Sequence, residues 1–394
     1  MKVGAAVLLV LLIAPNFVVA GQSPPTAAPH PAPRALPPEP PLAATPRANA
    51  TDYSDVLLLV NNQSQLSMQI GAYFKAKRSV PDRNVCNISM PTSEWIDTAQ
   101  FATVRNAVER FIVAGSLNNT LNYIVTTKGC PLGVWDNNNR YASFMDELGL
   151  ILGPYAGAIN NQYWMNNPFG GSEERFTREK FGIFIVTRID GYDLADCLRL
   201  VELASNATGS RGTFVLDSQP WKDGSGYQAG NDWCRAANRT LTAKGWKVYL
   251  DDTSWYVVNQ KNVSGYCSWG SNDGNAGNYA KPGFTWVPGA LGSTYVSTSA
   301  RSFAYPPSYG QSLIADLVRE GITGVHGNVA EPYLDACSRP QYFLERWTRG
   351  WNLGESFYAG MATQSWQNCV IGDPKVEGYS DQPDPAVFGP DIGF

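Results

Sequence analysis

Between Gly265 and Asp273 the sequence reads Gly-Tyr-Cys-Ser-Trp-Gly-Ser-Asn-Asp, which puts a thiol, a hydroxyl and an indole where an apolar strand runs into a turn. A thiol or hydroxyl nucleophile needs a base to take its proton, and imidazole is the usual one. Histidine occurs only twice in 394 residues, and one of the two, His30, lies in a proline-rich leader. Catalysis by Cys267 or Ser268 therefore depends on His326, with Glu331 five residues further on to orient or charge its ring. Gly265, Gly270 and Gly274 supply the backbone freedom for an oxyanion hole. The plainer reading makes Cys267 a disulfide half or a small core residue and His326 a hydrogen-bonded structural side chain.

Polar residues recur where other predicted strands end: Arg188 and Asp190, Asp217, Asp251 and Asp252, Asn272 and Asp273. Gathered on one rim they would suit Ca²⁺ or a sugar, since hard cations take several oxygen ligands. Asx turns explain most of them, and none has the spacing of a calcium loop. No metal or cofactor is expected: the chain has no Cys-x-x-Cys, no His-Glu-x-x-His and no phosphate loop ending in lysine. A Gly-x-Ser-x-Gly elbow is also missing. Trp135, Trp164 and Trp269 are candidate stacking faces for a carbohydrate.

These residues need a scaffold, and the patterning predicts an α/β one. Buried-strand runs are expected at 56–60, 122–127, 181–187, 212–216 and 246–250, with helices at 66–78, 101–114, 193–204 and 231–244 between them. A strand leads into Cys267, a further segment lies near 294–299, and a helix over 311–320 precedes a strand over 321–326. Amphipathic segments at 341–349 and 353–364 and a short strand at 369–371 follow. This βαβ rhythm implies a mostly parallel sheet, whose strand ends bring distant residues to one rim. Whether Cys267 meets His326 depends on whether their strands are neighbours. The Asn-rich stretch from Gly129 to Phe169, with one short helix near 143–152, reads as an insertion over a sheet edge.

The apolar run from Val3 to Ile13 and the small residues Val18-Val19-Ala20 read as a signal peptide over residues 1–20. Residues 21–50, rich in proline and alanine, read as an extended linker. A domain is expected over 51–380, with possible lobes at 51–175 and 176–380, and a tail over 381–394. The protein is thus expected to be secreted or at the cell surface, with no membrane span once the signal is removed. A net charge of −4 and 16 % charged residues exclude a nucleic-acid surface. The seven cysteines are expected to form disulfides in an oxidising compartment, the odd number leaving at least one unpaired. Sequons at Asn49, Asn62, Asn87, Asn118, Asn206, Asn238 and Asn262 are candidate glycan sites.

Several segments together resemble a family of secreted, mostly bacterial proteins that is remotely similar to gingipain-type cysteine peptidases. They are Tyr123 to Gly129 with Pro131-Leu132, Ala142 to Leu148, Asn167-Pro168-Phe169, Val186 to Gly191, Ser268 to Asp273, Val329 to Tyr333 and Ile371 to Pro374. The resemblance implies a caspase-like α/β sandwich, with a catalytic histidine after one strand and a cysteine after the next. It places Trp269 where that histidine would stand, and Ser or Thr near Ser297 to Ser299 where the cysteine would. Indole has no basic nitrogen, so the resemblance lends the fold more strongly than the activity. Three readings stay open: a caspase-like domain of unknown role without the standard dyad, a cysteine-type hydrolase relocated to Cys267, Ser268, His326 and Glu331, and a carbohydrate- or cation-binding surface protein. In the binding readings Trp269, Asn272, Asp273, Arg188, Asp190 and Asp217 carry the contacts, and the partner is a surface glycan or a protein.

Overall fold

Val56–Asn61 is apolar at five of its six positions and buried at all of them, so it can only be an interior strand with both faces covered. It is β1 of a ten-stranded sheet in the computed structural model, which describes residues 52–136, 141–157, 164–207, 209–277, 281–308 and 310–379. The other strands are β2 (Val85–Ile88), β3 (Tyr123–Thr127), β4 (Ile185–Ile189), β5 (Thr213–Asp217), β6 (Val248–Asp251), β7 (Val263–Ser268), β8 (Trp286–Thr294), β9 (Gly324–Asn328) and β10 (Asn368–Ile371). Their order across the sheet is β6-β5-β7-β8-β9-β10-β4-β3-β1-β2. The described residues fall within one compact unit. The expected leader, the whole linker and the tail lie outside the described residues, as do the turn formers Asn137 to Asn139 and Asn160-Asn161.

Every pairing in the sheet is parallel except that of β10 with β9. β10 runs antiparallel to β9 yet parallel to β4, so the sheet consists of two parallel blocks pointing in opposite directions. The carboxyl ends of β5, β7, β8 and β9 therefore open on one rim, and those of β1, β3 and β4 on the other.

Helices pack on this sheet, and their ends follow local chemistry. Helix α1 (Gln65–Arg78) starts at Ser64, whose side chain accepts from the Ser67 amide, and ends at Ser79 in the left-handed region. Helix α2 (Thr98–Ala114) opens with a reciprocal capping box between Asp97 and Gln100. Helices α3 (Phe144–Gly149), α4 (Leu194–Ser205), α5 (Gln228–Ala243), α6 (Ile314–Glu320), α7 (Pro340–Thr348) and α8 (Leu353–Gly360) complete the layers used below.

Three expectations shift. The strand expected over 181–187 begins at Ile185, because Arg178–Phe181 forms a helical turn capped by Thr177 and closed by Gly182 at φ 70°. The segment expected near 294–299 is β8 and ends at Thr294. The cysteines expected in disulfides are all free and buried, spread over strands, helices and loops that do not bring their sulfurs to bonding distance.

Candidate functional site

The first question is whether Cys267 meets His326, and β8 answers it. Cys267 pairs with Ser293, and Ser293 pairs with His326, so the three lie in one row on one face of the sheet. Two strand spacings put the outer backbones roughly 10 Å apart, with the serine between them. The structure does not bring the thiol and the imidazole together. Burial pushes the Cys267 thiol well above its ordinary range, and the Cys234 thiol beside it pushes the same way. A thiol so placed is not a thiolate at neutral pH.

His326 is fully buried, and both ring nitrogens are engaged. Nδ1 lies 3.3 Å from Ser293 Oγ and Nε2 lies 3.1 Å from Asn368 Oδ1. Asn368 donates through its amide nitrogen to Asp146 Oδ2 at 2.9 Å and to the Thr363 carbonyl at 3.0 Å, so its oxygen must face the ring. That assigns the proton to Nε2 and leaves Nδ1 to accept from Ser293. Burial lowers the ring from 6.5 to about 4. Glu331 is not beside this ring's nitrogens: it is exposed, and its Oε1 accepts from the Tyr333 amide at 3.1 Å.

Ser268 pairs in register with Asp217, and its Oγ donates to Asp217 Oδ2 at 3.2 Å while accepting from the Gly270 amide at 2.8 Å. Burial pushes the Asp217 carboxyl up to about 8, the Val257 amide opposes this, and Asp273 and Asp251 add to it. Asp273 is buried as well, accepting from Gln219 Nε2 and from the Asn275 amide. Arg188 and Asp190 lie at the end of β4, on the opposite rim, so the expected gathering of polar strand ends splits in two. They form a buried ion pair at 2.6 Å, and Arg188 also donates to the carbonyls of Pro131 and Cys130, both at 2.9 Å. Lys128 joins Asp190 to the Phe303 carbonyl. Among the described residues no group of three or more His, Cys, Asp or Glu side chains is arranged to hold a metal ion.

What the rim of β5, β7, β8 and β9 does hold is a cleft of about 590 Å³, within the range of small-ligand sites. Its buried wall includes Trp269, Tyr295, Lys222 and Cys337, and its mouth carries Trp221, Tyr227, Tyr333 and Glu331. Asn272 and Ser297 supply polar edges. Trp269 caps β7 and is held in one pose: its Nε1 donates to Asn231 Oδ1 at 2.8 Å, and its ring packs 4.9 Å from that of Tyr295. On α5, Gly230 makes room for it, since a Cβ there would come within 2.5 Å of the indole. Tyr333 presents its exposed ring from a backbone at φ 61°, a conformation that a bulky residue adopts only when its surroundings impose it.

Of the expected site residues, Trp269, Asn272 and Glu331 line this cleft, while Ser268, Asp217 and Asp273 lie buried at the same rim. Trp135 and Trp164 are exposed but do not line it; Trp164 packs on Trp366 at 5.2 Å. Sequence reasoning missed Trp221, Lys222, Tyr227, Tyr295 and Tyr333. The available signal was Pro220-Trp221-Lys222, an aromatic and a cation just after the strand ending at Asp217.

No family model matches the sequence, and no curated protein matches it. Among solved structures the chain is similar to gingipain R, an Arg-specific cysteine proteinase, with 9 % sequence identity and a TM-score of 0.41 over 83 % of this chain and 78 % of that one. A second similar structure, described as a protease, has 9 % identity and a TM-score of 0.39 over 82 % of this chain and 78 % of that one.

Proposed function

We propose that this is a secreted, non-catalytic carbohydrate-binding α/β domain of caspase-like type, without the standard His/Cys dyad, whose ligand occupies the cleft at the β5-β7-β8-β9 rim. The observation that carries the reading is the aromatic wall. Trp221, Tyr227, Trp269, Tyr295 and Tyr333 surround one cavity, with Asn272 and Ser297 at its edges. A sugar ring presents an apolar face to stack on such rings and equatorial hydroxyls to meet such edges. Trp269 and Ser297, which the family resemblance aligns with the base and the region of the nucleophile, both line the cleft, which supports reading this cleft as the binding site. The thiol that lines it, Cys337, is pushed by burial up to about 12, which favours binding over acyl transfer.

Secretion is part of the proposal. It is supported by the apolar leader and by the sequon asparagines at 62, 87, 118, 206 and 262, all exposed. No helix among the described residues is long and apolar enough to cross a membrane.

The test is a thermal-shift and calorimetric screen of the full chain against a glycan panel, with Trp221→Ala alongside. Trp221 is 58 % exposed, so its removal spares the core. A binding glycan raises the melting temperature of the native chain and loses its effect on the variant. If no glycan shifts the native chain, or if the variant binds equally well, the reading is wrong.

A further inference from the structure

Lys222 ends the helical turn Pro220–Lys222 that follows β5, and only 5 % of it is exposed. Its ammonium sits among three rings, 4.0 Å from the centroid of Trp221, 4.2 Å from that of Trp269 and 5.0 Å from that of Tyr227. These π faces attract the charge but accept none of its three N–H bonds in the way an oxygen does. Among the described residues the contacts seen at Lys222 Nζ are these three rings, with no side-chain or backbone oxygen bonded to it. Asp273 is the carboxylate that acts on it, but one Asp273 oxygen takes the Gln219 amide and the other the Asn275 amide. Burial lowers the Lys222 pKa.

The ammonium of this mostly buried lysine is enclosed by rings and lines a cavity of ligand size, so its N–H groups are offered to whatever fills that cavity. We infer that the ligand carries a carboxylate that pairs with Lys222, and specifically that it is a uronic-acid-containing saccharide. The inference rests on the carbohydrate reading above and narrows it. A carboxylate there completes the ammonium with charge-assisted hydrogen bonds while the sugar ring stacks on Trp221 or Trp269. A neutral sugar would bury the ammonium further and give it weaker acceptors. Glu331, the other charged residue lining the cleft, does not contradict this, because it is exposed at the mouth and already accepts from the Tyr333 amide.

The experiment is titration calorimetry of the full chain with galacturonate oligomers, the matched neutral galactose oligomers and an acidic peptide of similar length. Lys222→Met, Lys222→Arg and Trp221→Ala are measured alongside, with melting curves to verify folding. The native chain is expected to bind the uronate about tenfold or more tightly than the neutral oligomer. That preference disappears in Lys222→Met and survives in Lys222→Arg, while Trp221→Ala weakens both sugars. Equal affinity for the two sugars in the native chain overturns the carboxylate inference and leaves the carbohydrate reading standing. Binding of the peptide alone, or of no oligomer, overturns both. If Lys222→Met does not fold, the native comparison and the Lys222→Arg titration still decide.

Discussion

Replacing His326 isolates one titration from every other pH effect in the molecule. Burial holds its ring at about 4 against an ordinary 6.5. Between those values the unfolded chain takes up a proton that the native chain refuses. The native ring's contribution to stability is therefore complete above about pH 6.5 and is lost as the pH falls toward 4. A separation of this size amounts to about 2 to 3 kcal/mol between pH 7.5 and pH 4.5. Buried carboxyls work in the opposite sense: Asp146, linked to the ring through Asn368, is pushed up to about 7, and Asp217 to about 8. Native stability alone therefore does not display the histidine. The difference between the native chain and His326→Gln does, because the carboxyls titrate in both proteins and the variant's packing cost enters at both pH values. Urea unfolding at pH 7.5 and pH 4.5 is the assay, and the native advantage should shrink by about 2 to 3 kcal/mol on acidification. A gap constant to within about 0.5 kcal/mol would refute the reasoning that the ring is buried neutral between Ser293 and Asn368.

Other perturbations follow from the same geometry. Arg188→Met strands Asp190 with only the partly exposed Lys128 as counter-charge, and should lower stability by about 3 to 5 kcal/mol in denaturant titration. Asp217→Asn should gain on the native chain as the pH rises from about 4 to 8 and stop gaining above 8, since the native carboxyl must ionise in a buried site; a flat difference in melting temperature over that range contradicts it. Native protein should react slowly with a disulfide reagent, and protein unfolded without reductant should release seven thiols per chain.

The rhythm of strand and helix was legible because buried strands such as Val56–Asn61 and Tyr123–Thr127 are unbroken apolar or β-branched runs between capped helices. β2 was not, since only one of its four residues is buried and it carries no pattern. β8 was misplaced because Pro288, Gly289 and Gly292 interrupt its nine residues like a loop. Most of all, nothing in β10 announces its direction, and that direction sends Arg188 and Asp190 to the far rim. Trp269 was recognisable by its place after an apolar strand. Its companions come from separate loops after β5, β7, β8 and β9, and only strand order makes them neighbours.

The reversed strand β10 also has a consequence for how the chain is made. Among the described residues, the two blocks of the sheet, spanning Val56–Ile189 and Thr213–Asn328, are joined within the sheet only through Asn368–Ile371. During synthesis both blocks emerge before the strand that unites them. Until it arrives, β4 and β9 are open edges made of residues buried in the finished protein, which is the kind of surface that captures strands from other chains. A ribosome stalled before Asn368 would hold a chain with two half-sheets whose adhesive edges are uncovered. Closing that seam is the last pairing event among the described strands, and delays in translating Asn368–Ile371 should show as aggregation before they show as lost binding.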